Sequence, residues 1–188
     1  MNTTDAPRSQ PAPGGRPEVL LSSEQIQKRI EVLAEDLKRD YAESERLVAI
    51  GVLSGAVFFM VDLLRHLPDL PVTVDFFKVS SYGDGTQPGE VRILKDIDSS
   101  IRGADVLLIE DIVDTGNTLR TILDLLRFRG AKSVRLCALL DKKARRQTEV
   151  EIDYCGFEID DHFVVGYGLD LAGLYRNLPY VGIHRPTD

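Results

Sequence analysis

The sequence predicts an α/β fold built on a mostly parallel sheet with helices on both faces. Compact apolar runs at residues 47–53 and 105–109 are typical of buried strands. Helical patterns alternate with such runs, which is the order that parallel strands require. With 188 residues, of which 43% are hydrophobic, the chain is long enough to form one domain with a substantial core.

The first helix has a well-marked start. Residues 22–25 form a capping box, and Leu21 and Ile26 are placed as its hydrophobic staple. Apolar residues then recur at spacings of three and four, which predicts an amphipathic helix. These residues are Ile26, Ile30, Leu33, Leu37 and Tyr41.

The remaining elements are predicted from apolar patterns bounded by glycine and proline. The predicted helices are residues 55–67, stopped by Pro68 and Pro71, and about Asn117 to Phe128, ended by Gly130. The predicted strands are residues 72–79, 91–94 and 133–140. The tail at residues 151–183 is predicted as short strands with one weak helical turn near residues 171–175.

Residues 80–90, SSYGDGTQPGE, hold three glycines and one proline but no apolar anchor. This composition predicts a mobile loop. A plain hairpin connection accounts for the stretch, and so does an active-site lid, since long loops are often functional. The sequence leaves both interpretations open.

The composition argues against several kinds of partner. The net charge of −7, from 30 acidic and 23 basic residues, disfavours nucleic-acid binding. No apolar run reaches the ~18 residues that a bilayer-spanning helix needs. Residues 1–17 are polar, rich in proline and glycine, and lack the apolar region of a signal peptide. We therefore expect a disordered tail on a cytoplasmic protein, followed by one domain at residues 18–188.

The two cysteines, Cys137 and Cys155, each lie in an apolar stretch. Their spacing shows no C-x-x-C pairing, and we expect both to be small core residues. The three histidines show no metal-ligand spacing.

The segment at residues 106–119, VLLIEDIVDTGNTL, carries the strongest functional pattern. A hydrophobic strand leads into three carboxylates and then into a Thr-Gly-Asn-Thr turn that opens a helix. Ligands of open α/β sheets bind at such carboxyl ends of strands. Backbone N–H groups and a helix N-terminus at one point predict a phosphate site. The pattern is neither a Walker A loop nor a dinucleotide fingerprint, because the glycine spacings of both are missing.

Three acids beside a phosphate would repel it unless they bind something else. The carboxylates of Glu110, Asp111 and Asp114 suit ribose hydroxyls, which donate hydrogen bonds, and Mg²⁺, which prefers oxygen ligands. The alternative is a solvated acidic turn that only caps a helix.

The string EDIVDTGNTL resembles the phosphoribosyl pyrophosphate motif of type I phosphoribosyltransferases. The resemblance covers roughly residues 21–183 and points to the hypoxanthine-guanine branch. Its further motifs, in the expected order, are LSG at 53–55, SYG at 81–83, DK at 141–142, and FVVGY at 163–167 with Asp170 and Arg176.

The resemblance implies a type I phosphoribosyltransferase-like fold with a small hood formed by the termini and a flexible lid loop. It also implies purine salvage, in which phosphoribosyl pyrophosphate and hypoxanthine or guanine give IMP or GMP plus pyrophosphate. Mg²⁺ is the implied cofactor, and a homodimer or homotetramer is the implied assembly.

The resemblance also implies a role for each matching residue. Glu110 and Asp111 would hold the ribose hydroxyls directly or through Mg²⁺, and Asp114 would be the general base or proton relay at purine N7. The 5-phosphate would be bound by Thr115, Gly116, Asn117 and Thr118. Pyrophosphate would be bound by Ser54, Gly55 and Arg176. The purine would meet Lys142 at its 6-oxo group, the ring of Phe163, the backbone of Val164, and Asp170, which would also coordinate a second Mg²⁺. Ser81 and Tyr82 would belong to the lid.

Each role has a plainer structural alternative. Asp114 could be a helix N-cap, Lys142 a solvated lysine and Phe163 a core residue. Arg176 could be a surface arginine on a short helix. A basic run could be only a solvated face; it consists of Lys143, Arg145 and Arg146.

The chain departs from the family at Ser54, where a basic residue is common. Backbone N–H groups there remain able to bind pyrophosphate, and in the family the peptide bond before this position tends to be cis. Two rival functions remain: a regulator that binds RNA or DNA, and a transferase for adenine or a pyrimidine. The acidic charge disfavours the first, while Lys142 and the Phe163 segment disfavour the second.

Overall fold

The computed structural model describes residues 16–81 and 91–185. The tail prediction at residues 1–15 and the lid prediction at Tyr82 lie outside these ranges. The helices are α1 (Ser23–Asp40), α2 (Val57–Arg65) and α3 (Asn117–Phe128), with one 3-10 turn at Lys143–Arg145. The strands are β1 (Glu18–Leu21), β2 (Leu47–Val52), β3 (Val72–Ser81), β4 (Val91–Lys95), β5 (Asp105–Val113), β6 (Ser133–Asp141), β7 (Tyr154–Glu158), β8 (Val164–Val165) and β9 (Val181–Ile183).

The main sheet has six strands in the order β4-β3-β2-β5-β6-β7. All neighbours in it pair in parallel except β3 and β4, which pair antiparallel at one edge. The predicted fold class, a mostly parallel sheet flanked by helices, is therefore confirmed. A second sheet, β1-β9-β8, joins the two ends of the described chain by antiparallel pairing, as the predicted hood requires.

Successive residues of the central strands face opposite sides of the sheet and bury two cores. On β5, Leu107 and Ile109 pack with α1 and α2, whereas Val106 and Leu108 pack with α3. Burial on both faces explains why β2 and β5 are continuous apolar runs in the sequence.

The predicted capping box is confirmed at the start of α1. The Ser22 hydroxyl accepts the N–H of Gln25 at 3.3 Å, and the Gln25 side chain accepts the N–H of Ser22 at 2.8 Å. Among the described residues, no helix is both long and apolar enough to cross a membrane.

Two sequence predictions about the elements are wrong. β5 continues to Val113 rather than ending at Ile109, so Glu110 and Asp111 lie within the strand. The expected helical turn near residues 171–175 is instead a tight turn closed by a bridge between Leu171 and Leu174.

Candidate active site

A cavity of about 270 Å³ lies at the carboxyl ends of β2 and β5. One wall is apolar and comes from β2, β3 and α3. The other wall is polar and comes from the end of β5 and the turn that follows it. The polar lining consists of Glu110, Asp114, Thr115, Gly116 and Thr118. The predicted position of the ligand site, at the end of a central strand, thus coincides with a cavity.

The turn after β5 exposes the N-terminus of α3. Gly116 precedes the helix with φ +85°, a left-handed conformation that disfavours a side chain. Among residues 16–81 and 91–185, no side chain makes a capping hydrogen bond at the start of α3. Its backbone N–H groups therefore remain available to an anion in the cavity, as the sequence predicted for a phosphate.

The side chain of Asn117 is turned away from this cavity. Its amide donates to the side chain of Gln147 at 2.9 Å, and its oxygen accepts the Thr148 hydroxyl at 2.5 Å. Only the backbone of Asn117 is thus placed to contribute to a phosphate site.

Glu110 and Asp111 form an adjacent pair of buried carboxyl groups. Burial, reinforced by the neighbouring Asp111, raises the pKa of Glu110 well above its usual range. Burial also raises the pKa of Asp111, although one of its oxygens accepts the N–H of Ile112 at 2.9 Å. A buried oxygen of Glu110 has no hydrogen-bond partner among the described residues. An unpaired buried acceptor is costly, which indicates a place for a donor or a cation.

Asp114 is not the N-cap of α3, because Gly116 holds that position. One carboxylate oxygen of Asp114 is buried without a partner among the described residues. The other oxygen lies 3.6 Å from a guanidinium nitrogen of Arg145. Asp114 therefore presents a free acceptor at the cavity, as a proton acceptor must.

The turn at residues 53–55 packs directly on Asp111. The Leu53–Ser54 peptide bond is cis, and the side chain of Ser54 is exposed. A Cβ atom on Gly55 would lie 1.6 Å from a carboxylate oxygen of Asp111, so only glycine fits. A Cβ atom on Gly168 would lie 2.0 Å from the carbonyl oxygen of Gly55. The structure thus brings the Ser54 turn, the acids of β5 and the segment leading to Asp170 together.

Arg176 is not a surface arginine on a short helix. Its guanidinium donates to the Gly168 carbonyl at 2.5 Å and forms an ion pair with Asp170 at 2.6 Å. A second oxygen of Asp170 accepts the N–H of Gly173 at 2.7 Å. These bonds hold Asp170 and Arg176 next to the Ser54 turn.

Lys142 is buried rather than solvated. Only 5% of Lys142 is exposed, and its ammonium group lies 3.6 Å from the carboxylate of Asp161. Its backbone N–H donates to the carbonyl of Val113 at 3.0 Å, which holds it beside the start of the turn after β5.

Phe163 is not a core residue, because 52% of it is exposed. Its ring meets the ring of His184 edge-on at 5.9 Å. Val164 is buried, so only its backbone could meet a ligand. Neither residue lines the 270 Å³ cavity. In the chain, Phe163 follows Asp161, the partner of Lys142, by two residues.

The prediction of a solvated basic run is wrong for Arg146. Its side chain is only 10% exposed and forms an ion pair with the buried carboxylate of Asp141. The basic run did not predict this ion pair, which forms across the 3-10 turn that separates Arg146 from the end of β6. Lys143 is exposed and pairs with Glu158.

The residues present fit a divalent cation only in part. Among the described residues, no group of three or more His, Cys, Asp and Glu side chains could hold a metal ion. The unpaired oxygen of Glu110 beside Asp111 nevertheless offers two acidic ligands. Mg²⁺ commonly takes one or two carboxylates and completes its shell with water and substrate phosphates, so the two acids fit a site of that kind.

Comparison with known proteins agrees with this geometry. Residues 18–171 match the phosphoribosyl transferase domain family. The chain belongs to the phosphoribosyltransferase family, whose members are transferase enzymes.

The relatives define the branch within that family. The chain is 49% identical over 170 residues to the hypoxanthine-guanine phosphoribosyltransferase of Bacillus subtilis, covering 90% of this chain and 93% of that protein. It is 51% identical over 169 residues to the bifunctional protein TilS/HprT of Listeria monocytogenes, covering 89% of this chain and 26% of that longer protein. A solved hypoxanthine phosphoribosyltransferase from Staphylococcus aureus superposes with a TM-score of 0.85 at 48% identity, covering 90% of this chain and 91% of that one. The predicted hypoxanthine-guanine branch is confirmed.

Proposed function

We propose that this chain transfers the 5-phosphoribosyl group of phosphoribosyl pyrophosphate to hypoxanthine or guanine. The products are IMP or GMP and pyrophosphate. The observation that carries the proposal is the N-terminus of α3, which shares one cavity with oxygens of Glu110 and Asp114. Within the described part of the chain, neither this helix start nor those oxygens have a side-chain partner. That combination suits a ligand with a phosphate at one end and hydrogen-bond donors beside it.

In the proposed mechanism the protein positions the sugar first. The backbone N–H groups of residues 115–118 bind the 5-phosphate, and Glu110 and Asp111 accept hydrogen bonds from the ribose hydroxyls. As pyrophosphate leaves, C1 of the ribose gains positive charge, which nearby carboxylates stabilise. Glu110 and Asp111 would hold one Mg²⁺ and Asp170 a second, and the bound ions would supply positive charge beside the departing pyrophosphate. The exposed turn at Ser54 and Gly55, together with Arg176, would receive the pyrophosphate.

The purine is selected and deprotonated on the other side of the sugar. Lys142 can only donate hydrogen bonds, so its ammonium group favours a 6-oxo group over a 6-amino group. The half-exposed ring of Phe163 offers a stacking face, and the backbone of Val164 meets the base edge. Asp114 accepts the proton that the purine loses at N7, since one of its oxygens is free.

Several expectations extend beyond the chemistry. A lid that includes Ser81 and Tyr82 would exclude water during the reaction. A cytoplasmic location would supply the substrates. The family resemblance implies assembly as a homodimer or homotetramer. These remain predictions.

The test is a steady-state assay of five bases with phosphoribosyl pyrophosphate, with and without Mg²⁺. The wild-type chain should use hypoxanthine and guanine in the presence of Mg²⁺ and should reject adenine. In Lys142→Met, kcat/KM for hypoxanthine should fall about 10²-fold while the KM for phosphoribosyl pyrophosphate changes little. The substitution removes the ammonium donor and leaves the 6-oxo group of the purine without a hydrogen bond. Lys143→Met, at an exposed neighbouring lysine, is the matched control. Equal use of adenine by the wild type would contradict the proposal.

A further inference from the structure

Arg146 makes a set of buried contacts that no role described so far explains. Its Nε atom donates to the carbonyl of Asp114 at 3.1 Å, and its Nη2 atom donates to the carbonyl of Val113 at 3.3 Å. The same Nη2 atom pairs with the carboxylate of Asp141. The side chains of Arg146 and Asp141 are only 10% and 6% exposed. Arg146 does not line the ligand cavity, so it would act through other residues.

These contacts join two parts of the proposed site. Val113 and Asp114 lead into the phosphate turn, whereas Asp141 immediately precedes Lys142. The backbone supports the same link, because the carbonyl of Val113 also accepts the N–H of Lys142 at 3.0 Å. The Arg146–Asp141 pair therefore lies at the point where the phosphate side and the purine side of the site meet.

The loop that carries Arg146 also supports the turn from behind. The carbonyl of Thr115 accepts the N–H groups of Gln147 at 2.9 Å and of Thr148 at 3.0 Å. A Cβ atom on Gly116 would lie 2.3 Å from the carbonyl oxygen of Thr148 and 3.1 Å from Cδ of Arg146. With so little free space, a shift of the Arg146 side chain would be transmitted to the turn.

The chemistry of arginine suits this position better than that of lysine. A guanidinium group is planar and can direct several N–H donors at fixed angles, so it can bind two carbonyls and a carboxylate at once. A lysine ammonium group would keep the charge next to Asp141 but not the fixed fork.

We infer that the buried Arg146–Asp141 ion pair is a positioning device that fixes the carbonyls of Val113 and Asp114. It thereby holds the phosphate-binding turn and Lys142 at a set distance from each other. This inference rests on the proposed function for its effect on catalysis, although its effect on the backbone can be measured without any ligand.

The first experiment measures amide hydrogen exchange of the ligand-free protein. Arg146→Gln should exchange about 10-fold or more faster than wild type at the amides of Lys142, Gln147 and Thr148, because these N–H groups donate to the carbonyls of Val113 and Thr115, which lose their support. Amides of α1 and β2 should exchange as before. Arg146→Lys should lie between the two. Lys143→Gln, at the exposed lysine paired with Glu158, is the control. Unchanged exchange at the amides of Lys142, Gln147 and Thr148 in Arg146→Gln would overturn the inference.

The second experiment measures kinetics of the same folded variants. Loss of positioning should raise KM for both phosphoribosyl pyrophosphate and the purine by about 10- to 100-fold, because a small displacement affects both ends of the site. A lower amount of folded enzyme would instead lower the apparent kcat and leave both KM values unchanged, which would count against positioning. If Arg146→Gln does not fold, Arg146→Lys and Asp141→Asn provide the comparison. If the wild-type chain shows no transfer activity, the proposed function fails, yet the exchange experiment still decides the inference.

Discussion

At the scale of single residues, close packing around the acids of β5 determines what the site can contain. Gly55 lies so near Asp111 that no side chain fits between them, and Gly168 lies equally close to Gly55. The acids themselves are held in an environment that raises the pKa of Glu110 and Asp111, primarily through burial. Shifted pKa values of this kind are typical of functional sites, where a bound ligand balances the charge.

Gly55→Ala tests this packing. The added methyl group would displace the carboxylate of Asp111, so we expect binding of phosphoribosyl pyrophosphate to weaken at least ~10-fold and stability to fall by about 1–3 kcal/mol. Calorimetric titration and urea unfolding measure the two effects. Gly103→Ala is the control. Because Gly103 has φ +73°, the substitution should lower the stability by about 1–2 kcal/mol. Among the described residues, apart from its chain neighbours, no atom lies within 4 Å of the added Cβ atom. Equal binding losses in both variants would show that backbone strain, rather than the contact with Asp111, is responsible.

At the scale of elements, sequence patterns predicted the strands and helices well. They were wrong where tertiary contacts determine the local structure. The end of β5 was predicted too early because Glu110 and Asp111 are charged, yet both lie in the strand, and Glu110 pairs with Ala138 of β6. A weak helical turn was predicted near residues 171–175, but positive φ angles at Ala172, Gly173 and Tyr175 produce a tight turn instead. Burial of Arg146 depends on Asp141, a pairing that no local pattern reveals.

One buried carboxylate links β3 to the segment after β4. Burial acts to raise the pKa of Asp75, but the N–H groups of Phe76, Asp98 and Ser99, with the nearby Lys95, outweigh it and lower the pKa overall. The bonds to Phe76 and Asp98 measure 2.7 and 2.8 Å. A carboxylate with a lowered pKa stabilises the fold above its unfolded pKa, and this contribution is lost as the pH falls through the folded pKa.

Asp75→Asn should therefore be less stable than wild type by roughly 1–3 kcal/mol at neutral pH, because charged hydrogen bonds are lost. The difference should begin to shrink as the pH falls below about 4, where Asp75 of the unfolded chain takes up a proton, and it should be lost as the pH falls through the lower folded pKa. Urea unfolding midpoints from pH 7 to pH 3 measure it, with Asp69→Asn, at an exposed position, as the control. A difference that does not depend on pH would indicate a packing effect instead.

At the scale of the whole molecule, the two ends of the described chain form a small sheet that contains Val164, which directly follows Phe163 in the chain. β9 pairs with both β1 and β8, and the N–H of His184 donates to the carbonyl of Phe163 at 2.8 Å. This sheet is tied to the main domain through Asp62 of α2, which accepts the Tyr167 hydroxyl at 2.6 Å and the Gln27 amide at 3.0 Å. The proposed purine side therefore draws on both sheets, since Val164 lies in the small sheet and Lys142 directly follows β6 of the main sheet.

The position of the cavity and the acids beside it could be predicted from sequence, because the motif after β5 combines a strand end, carboxylates and a helix start. The layout of the purine side could not be worked out from local patterns, since Lys142 and Phe163 lie in unremarkable surroundings until Asp161 and the small sheet are placed. Only the resemblance to a family linked those residues to the site.

The most direct measurement is a calorimetric titration of phosphoribosyl pyrophosphate into the protein with Mg²⁺ present, comparing wild type with Gly116→Ala. The Ala side chain would be strained at φ +85° and would meet the carbonyl of Thr148, so it would distort the turn that offers its N–H groups to the phosphate. We predict one binding site per wild-type chain, affinity at least ~10-fold weaker in Gly116→Ala, and unchanged affinity in Gly103→Ala. No binding to wild type, or equal affinity in Gly116→Ala, would contradict the central role of the turn after β5.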